Sequence, residues 1–81
     1  MTQFATHVWA RDYGALAQCI SVAIDESLRH SGQPVCIMLD AVSYSREDVA
    51  ERLLEESSYN EDGSIYYYGE DHEGREWCVC V

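Results

Sequence analysis

The chain has 81 residues, enough for one domain and no second, and a chain this short buries only about 60% of the surface it exposes when unfolded. Apolar residues make up 47% of it, which excludes wholesale disorder. Fifteen Asp and Glu stand against five Arg and no Lys, a formal charge of −10 that repels nucleic acid and membrane surfaces and speeds encounter with basic partners.

Phe4 to Ala10 alternates, with Phe4, Thr6 and Val8 on one side and Ala5, His7 and Trp9 on the other, and predicts a first strand. From Asp12, a candidate N-cap, the period becomes helical: Leu16, Ile20, Ala23, Ile24, Ser27 and Leu28 share a face. His30, Ser31, Gly32 and Pro34 give that helix its stop. Pro34 to Val42 predicts a second strand, with Val35, Ile37 and Leu39 opposite Cys36, Met38 and Asp40.

Ser45-Arg46-Glu47-Asp48 reads as a capped helix start, with Val49, Ala50, Leu53 and Leu54 as a narrow buried stripe ending near Ser57. Two short strands follow, Ser64 to Tyr68 and Arg75 to Val81, joined by the loop Gly69 to Gly74. The fold predicted is a single compact α+β domain over residues 1–81 in the order β-α-β-α-β-β. Two helices lie on one face of a four-stranded mixed sheet, the first βαβ is parallel and right-handed, and an antiparallel hairpin ends the sheet.

The same alternation leaves a second apolar face of His7, Trp9, Cys36, Met38, Cys78 and Cys80, joined by Tyr66 and Tyr68 or else by Ile65 and Tyr67. A sheet face opposite its helices is ordinarily polar. Trp9 and Met38 here mark a possible second interface, for a homodimer or another protein.

Metal sites find weak support. Ser58 to Ile65 overlays the calcium-loop pattern at Asn60, Asp62, Gly63 and Ile65, but Ser58 and Gly69 occupy the first and twelfth ligand positions, so Asp62-Gly63 reads as a turn. Cys78-x-Cys80 with Cys36 and His7 lacks the turn-borne spacing of zinc motifs, and the thiols read as core residues of a reducing compartment. No nucleophile and base stand at a diagnostic spacing and no Gly-rich phosphate loop occurs, so neither an enzyme nor a cofactor is expected. Met1-Thr-Gln-Phe has no secretory character, which makes a bacterial cytoplasm the expected location.

The acids concentrate in the C-terminal part, which carries 11 of the 15, and Glu47, Glu51 and Glu55 repeat at i, i+4 and i+8, a self-repelling row. The candidate partner-binding residues are the acids Glu55, Glu56, Glu61, Asp62, Glu70, Asp71, Glu73 and Glu76 with the tyrosines Tyr59, Tyr66 and Tyr68. Dense carboxylates compete for Arg and Lys side chains that otherwise hold phosphates.

With its carboxylate-rich stretch Glu47 to Glu76 and interleaved Tyr59, Tyr66, Tyr67 and Tyr68, the whole profile resembles the small acidic proteins of phages and mobile elements, in particular anti-CRISPR and other DNA-mimic inhibitors. The resemblance implies stoichiometric inhibition of a bacterial CRISPR–Cas effector, with a type I multi-subunit complex as the natural target. The alternatives are a homodimeric accessory module, whose acidity serves only solubility, and a metal-binding module.

Overall fold

A computed structural model describes residues 3–40, 42–53, 56–59 and 63–81. Five strands, β1 (Thr6–Trp9), β2 (Val35–Met38), β3 (Glu56–Tyr59), β4 (Ile65–Glu70) and β5 (Glu76–Cys80), form one mixed sheet in the order β1-β2-β5-β4-β3. Helices α1 (Leu16–Arg29) and α2 (Arg46–Arg52) complete the fold. The α+β class is as expected, but the sheet has five strands instead of four. The added β3 has the sequence Glu-Ser-Ser-Tyr and pairs antiparallel with β4 at the sheet edge.

β1 runs parallel to β2 and β2 parallel to β5, while β4 and β5 form the antiparallel hairpin. The near-continuous apolar run Trp77 to Val81 suits this inner position. Leu16, Cys19, Ile20 and Ala23 of α1 and Val49 of α2 share one core with Val8, Val35, Ile37, Tyr67, Trp77 and Val79, so both helices pack on the same face of the sheet.

Helix α1 starts later than Asp12. Ala10–Asp12 make a 3-10 turn, and Ala15 is the N-cap without a side-chain bond. Its C-terminus closes in a Schellman arrangement: the Gly32 N–H donates to the Ser27 carbonyl at 2.8 Å and the Ser31 N–H to the Leu28 carbonyl at 3.3 Å, with Ser31 and Gly32 both at positive φ.

Fully buried Ser27 ties this helix to the sheet. Its hydroxyl accepts the Cys78 N–H at 2.8 Å and donates to the Gln33 carbonyl at 2.9 Å. It bridges the Cys78 N–H in the middle of β5 and the Gln33 carbonyl before β2, beside Pro34, which has no N–H to offer.

β2 stops at Met38, short of Val42, because Asp40 organises a turn. The Ser43 and Tyr44 N–H groups donate to its carbonyl, and the Val42 N–H donates to its Oδ1 at 3.1 Å. Helix α2 begins as the sequence predicts: Ser45 Oγ accepts the Asp48 N–H at 3.2 Å and Asp48 Oδ2 accepts the Ser45 N–H at 2.8 Å. It ends at Arg52 and not near Ser57, with Leu53 already extended.

Candidate functional site

The pairing of Ile65 with Val81 through both N–H groups fixes the pattern along the β4-β5 hairpin. Tyr66 opposite Cys80, Tyr68 opposite Cys78 and Glu70 opposite Glu76 therefore occupy non-hydrogen-bonded pairs, where side chains stand closest. All six point away from the helices. With His7 and Trp9 of β1 and Cys36 and Met38 of β2 they make the open face of the sheet.

Of the two registers the sequence allows, the open face takes Tyr66 and Tyr68, while Tyr67 lies buried under the helices with Ile65 packed against that core. Trp9 is 40% exposed and Tyr68 39%; the Arg11 guanidinium sits 4.7 Å from the centre of the Trp9 ring. Phe4, expected beside Val8, belongs instead to this side. It precedes the strand proper, and its ring meets His7 edge-on at 5.7 Å.

The predicted acids separate into distinct roles. Glu70 and Glu76 face each other, and neither has an ion pair among the described residues. With Tyr68, Cys78, Gly32, Gly69 and Trp77 they line a hollow of about 650 Å³. Like charges directly opposite on a hairpin destabilise it.

Asp71, one residue on, is committed to the turn. Its Oδ1 accepts the N–H groups of Glu73 and Arg75 at 2.9 and 2.8 Å, and its Oδ2 accepts Arg75 Nε at 2.7 Å. Desolvation alone would raise its pKa, but the bonds from Arg75 and Glu73 outweigh it and hold the carboxyl below its ordinary value. Gly74 at φ +80° completes a three-residue loop, so Gly69 is a strand residue opposite Trp77 and not part of the connection. Glu73 lies 3.4 Å from Arg75 Nε and 3.8 Å from His72.

Tyr59 is 78% exposed, but its partner in register is Ile65, which puts it on the side opposite Tyr66 and Tyr68. Glu56 pairs in register with Tyr68. Glu55, Glu61 and Asp62 lie outside the described residues. Glu47, Asp48 and Glu51 ride on α2, in the helix layer, and Asp48 is held by its cap, where the bond from the Ser45 backbone lowers its pKa.

None of the four cysteines is in a disulfide. Burial pushes Cys36 up and Cys78 up to about 11, so both are thiols at neutral pH. Among the described residues no group of three or more His, Cys, Asp and Glu side chains could hold a metal ion, and no helix is long and apolar enough to cross a membrane. Sequence reasoning missed the pairing of Glu70 with Glu76, which an expected loop beginning at Gly69 concealed. Carrying the Tyr66-Tyr68 alternation two residues further would have found it. Compared with protein-family models, curated proteins and solved structures, the chain finds no match.

Proposed function

We propose that this chain is a non-catalytic binding protein that docks the open face of its sheet on a basic protein surface, of the kind that otherwise holds nucleic-acid phosphates. The observation that carries the reading is the Glu70–Glu76 pair, two uncompensated carboxylates side by side at the margin of an aromatic face. An Arg or Lys side chain entering the hollow beside them meets both carboxylates and the ring of Tyr68. A bacterial CRISPR–Cas effector is the target class that the acidic, tyrosine-rich profile suggests, and inhibition follows if the covered surface is its DNA-binding one.

The exposure of Trp9 and Tyr68 also fits self-association, the second reading. A charge of −10 on every copy opposes it and favours a basic occupant.

The test is capture of effector complexes from a bacterial lysate by the full chain, followed by affinity measurement across salt concentrations. Binding should weaken steeply with salt and be lost in the double variant Glu70→Lys, Glu76→Lys with its circular dichroism unchanged. Undiminished binding by the double variant, or a dimer in sedimentation equilibrium at low salt, overturns the reading.

A further inference from the structure

Three sulfur-bearing side chains, Cys36, Met38 and Cys80, border one hollow at the β2-β5 seam. Cys36 and Cys80 stand opposite each other on neighbouring parallel strands, where the strand spacing is about 4.8 Å. The Met38 sulfur lies 3.7 Å from the Cys36 sulfur. Cys36, Met38 and Cys80 line one hollow of about 370 Å³ with Phe4, and Arg46 stands at the same hollow.

With metal–sulfur bonds of about 2.3 Å, two sulfurs on one tetrahedral or trigonal ion are separated by about 3.8–4.0 Å. The Cys36–Met38 spacing is already close to that. Two thiolates and a thioether are a soft donor set that selects copper(I) and its analogue silver(I). Zinc, by contrast, takes thiolate, imidazole and carboxylate donors. A thioether in third place also lies outside the His, Cys, Asp and Glu groups, none of which could hold a metal ion among the described residues.

We propose that Cys36, Cys80 and Met38 form a binding site for a monovalent thiophilic metal ion, copper(I) or silver(I). One ion replaces the two thiol protons, which leave to solvent, and Met38 donates a lone pair without losing a proton. The resulting centre carries one negative charge; Arg46, whose guanidinium donates to the Gly63 carbonyl at 2.7 Å, borders the same hollow. No electron is transferred, and the phenyl ring of Phe4 gives the centre an apolar wall. Cys78, two residues from Cys80 and next to Tyr68, lies outside this hollow, and Cys19 is buried on the helix side.

The experiment titrates the full chain with copper(I) under anaerobic conditions against a chromophoric copper(I) chelator, with silver(I) as a redox-inert second probe. One equivalent should bind, with thiolate-to-metal absorption and X-ray absorption showing only sulfur neighbours. Cys36→Ser should weaken binding by about 100-fold or more, beyond the loss of an outer-shell partner, and Met38→Leu by about tenfold. Cys78→Ser should leave it unchanged. Met38→Leu conserves volume and keeps both thiols, so it separates a designed site from adventitious thiol binding. Equal affinity of Met38→Leu and the parent chain, or a larger loss in Cys78→Ser than in Cys36→Ser, overturns the site. Lysate capture without added metal is independent of this outcome.

Discussion

The two faces of this sheet are built from the same strands and come to different ends. On the helix side Val8, Val35, Ile37, Tyr67, Trp77 and Val79 are buried; on the open side Trp9 and Tyr68 remain about two-fifths exposed, with Cys36, Met38, Tyr66 and Cys78 partly so. Pleating alone separates Ile37 from Met38 and Trp77 from Cys78. The difference teaches that apolar content specified only half of a folded core. The other half sits at the surface beside Glu70 and Glu76, which have no ion pair among the described residues.

The sharpest way to break this comparison is to truncate a tryptophan on each side. Trp77→Ala empties a buried site and should cost about 3–5 kcal/mol, a large share of a small domain's stability. Trp9→Ala removes a two-fifths exposed ring on the outer strand that carries the Arg11 guanidinium, and should cost about 1 kcal/mol. Denaturant melts followed by far-UV circular dichroism check both. Equal losses would mean that the open face is as much a core as the covered one.

Next in size is the seam where helix and hairpin meet. Gly32 stands at φ +81°, and a Cβ there would lie 2.6 Å from the carbonyl oxygen of Glu76, a backbone atom that cannot rotate away. Gly32→Ala adds left-handed strain to that clash and should cost about 2 kcal/mol or more, read as a lowered urea midpoint. A neutral result would show that the helix stop and β5 move independently.

Much of the covered face was legible in the sequence, because period and burial coincide there. Leu16, Ile20, Ala23 and Ser27 keep helical spacing, and Val35/Ile37 and Trp77/Val79 keep strand alternation. The edge was not legible. Glu56-Ser-Ser-Tyr59 carries no apolar alternation, because an edge strand is held by pairing with β4 and not by burying a face of its own. Read from sequence, Glu56 and Ser57 prolonged α2 and Ser58 and Tyr59 opened a turn, whereas α2 stops at Arg52 once Val49 and Leu53 have reached the core. Phe4 changed sides for a similar reason: parity transfers only within a regular strand, and β1 begins at Thr6. The open face was legible as a set of residues, but the pairing of Glu70 with Glu76 depended on a loop three residues shorter than its glycines suggested.

Adjacent carboxylates at the hairpin tip sharpen the contrast further. Asp71 is structural, and so is Asp48 at the α2 cap; each has a folded-state pKa below its unfolded value. The stability they contribute is therefore complete above the ordinary carboxylate pKa of 3.8 and is lost as pH falls through the lower folded values. Urea midpoints should drop between pH 6 and pH 3. Asp71→Asn, which keeps one carbonyl oxygen but no charge for Arg75, should start lower at pH 6 and show a shallower decline. An unchanged slope would show that the bonds to Glu73 and Arg75 do not discriminate carboxylate from amide.

The smallest effect is the most telling one. Glu70 sits at the same tip as Asp71 but bonds to nothing in the turn, and its nearest partner across the hairpin is another carboxylate. Glu70→Gln keeps the shape and removes the repulsion, so it should stabilise the domain by a few tenths of a kcal/mol in paired melts at low salt, and the gain should fade as salt screens the pair. The same variant should bind a basic partner more weakly. A change that improves folding while it impairs binding separates charge kept for recognition from charge kept for structure. If Glu70→Gln instead destabilises the hairpin, Glu70 is structural as Asp71 is, and the open face no longer holds the electrostatic feature that distinguishes a basic partner from a second copy of the chain.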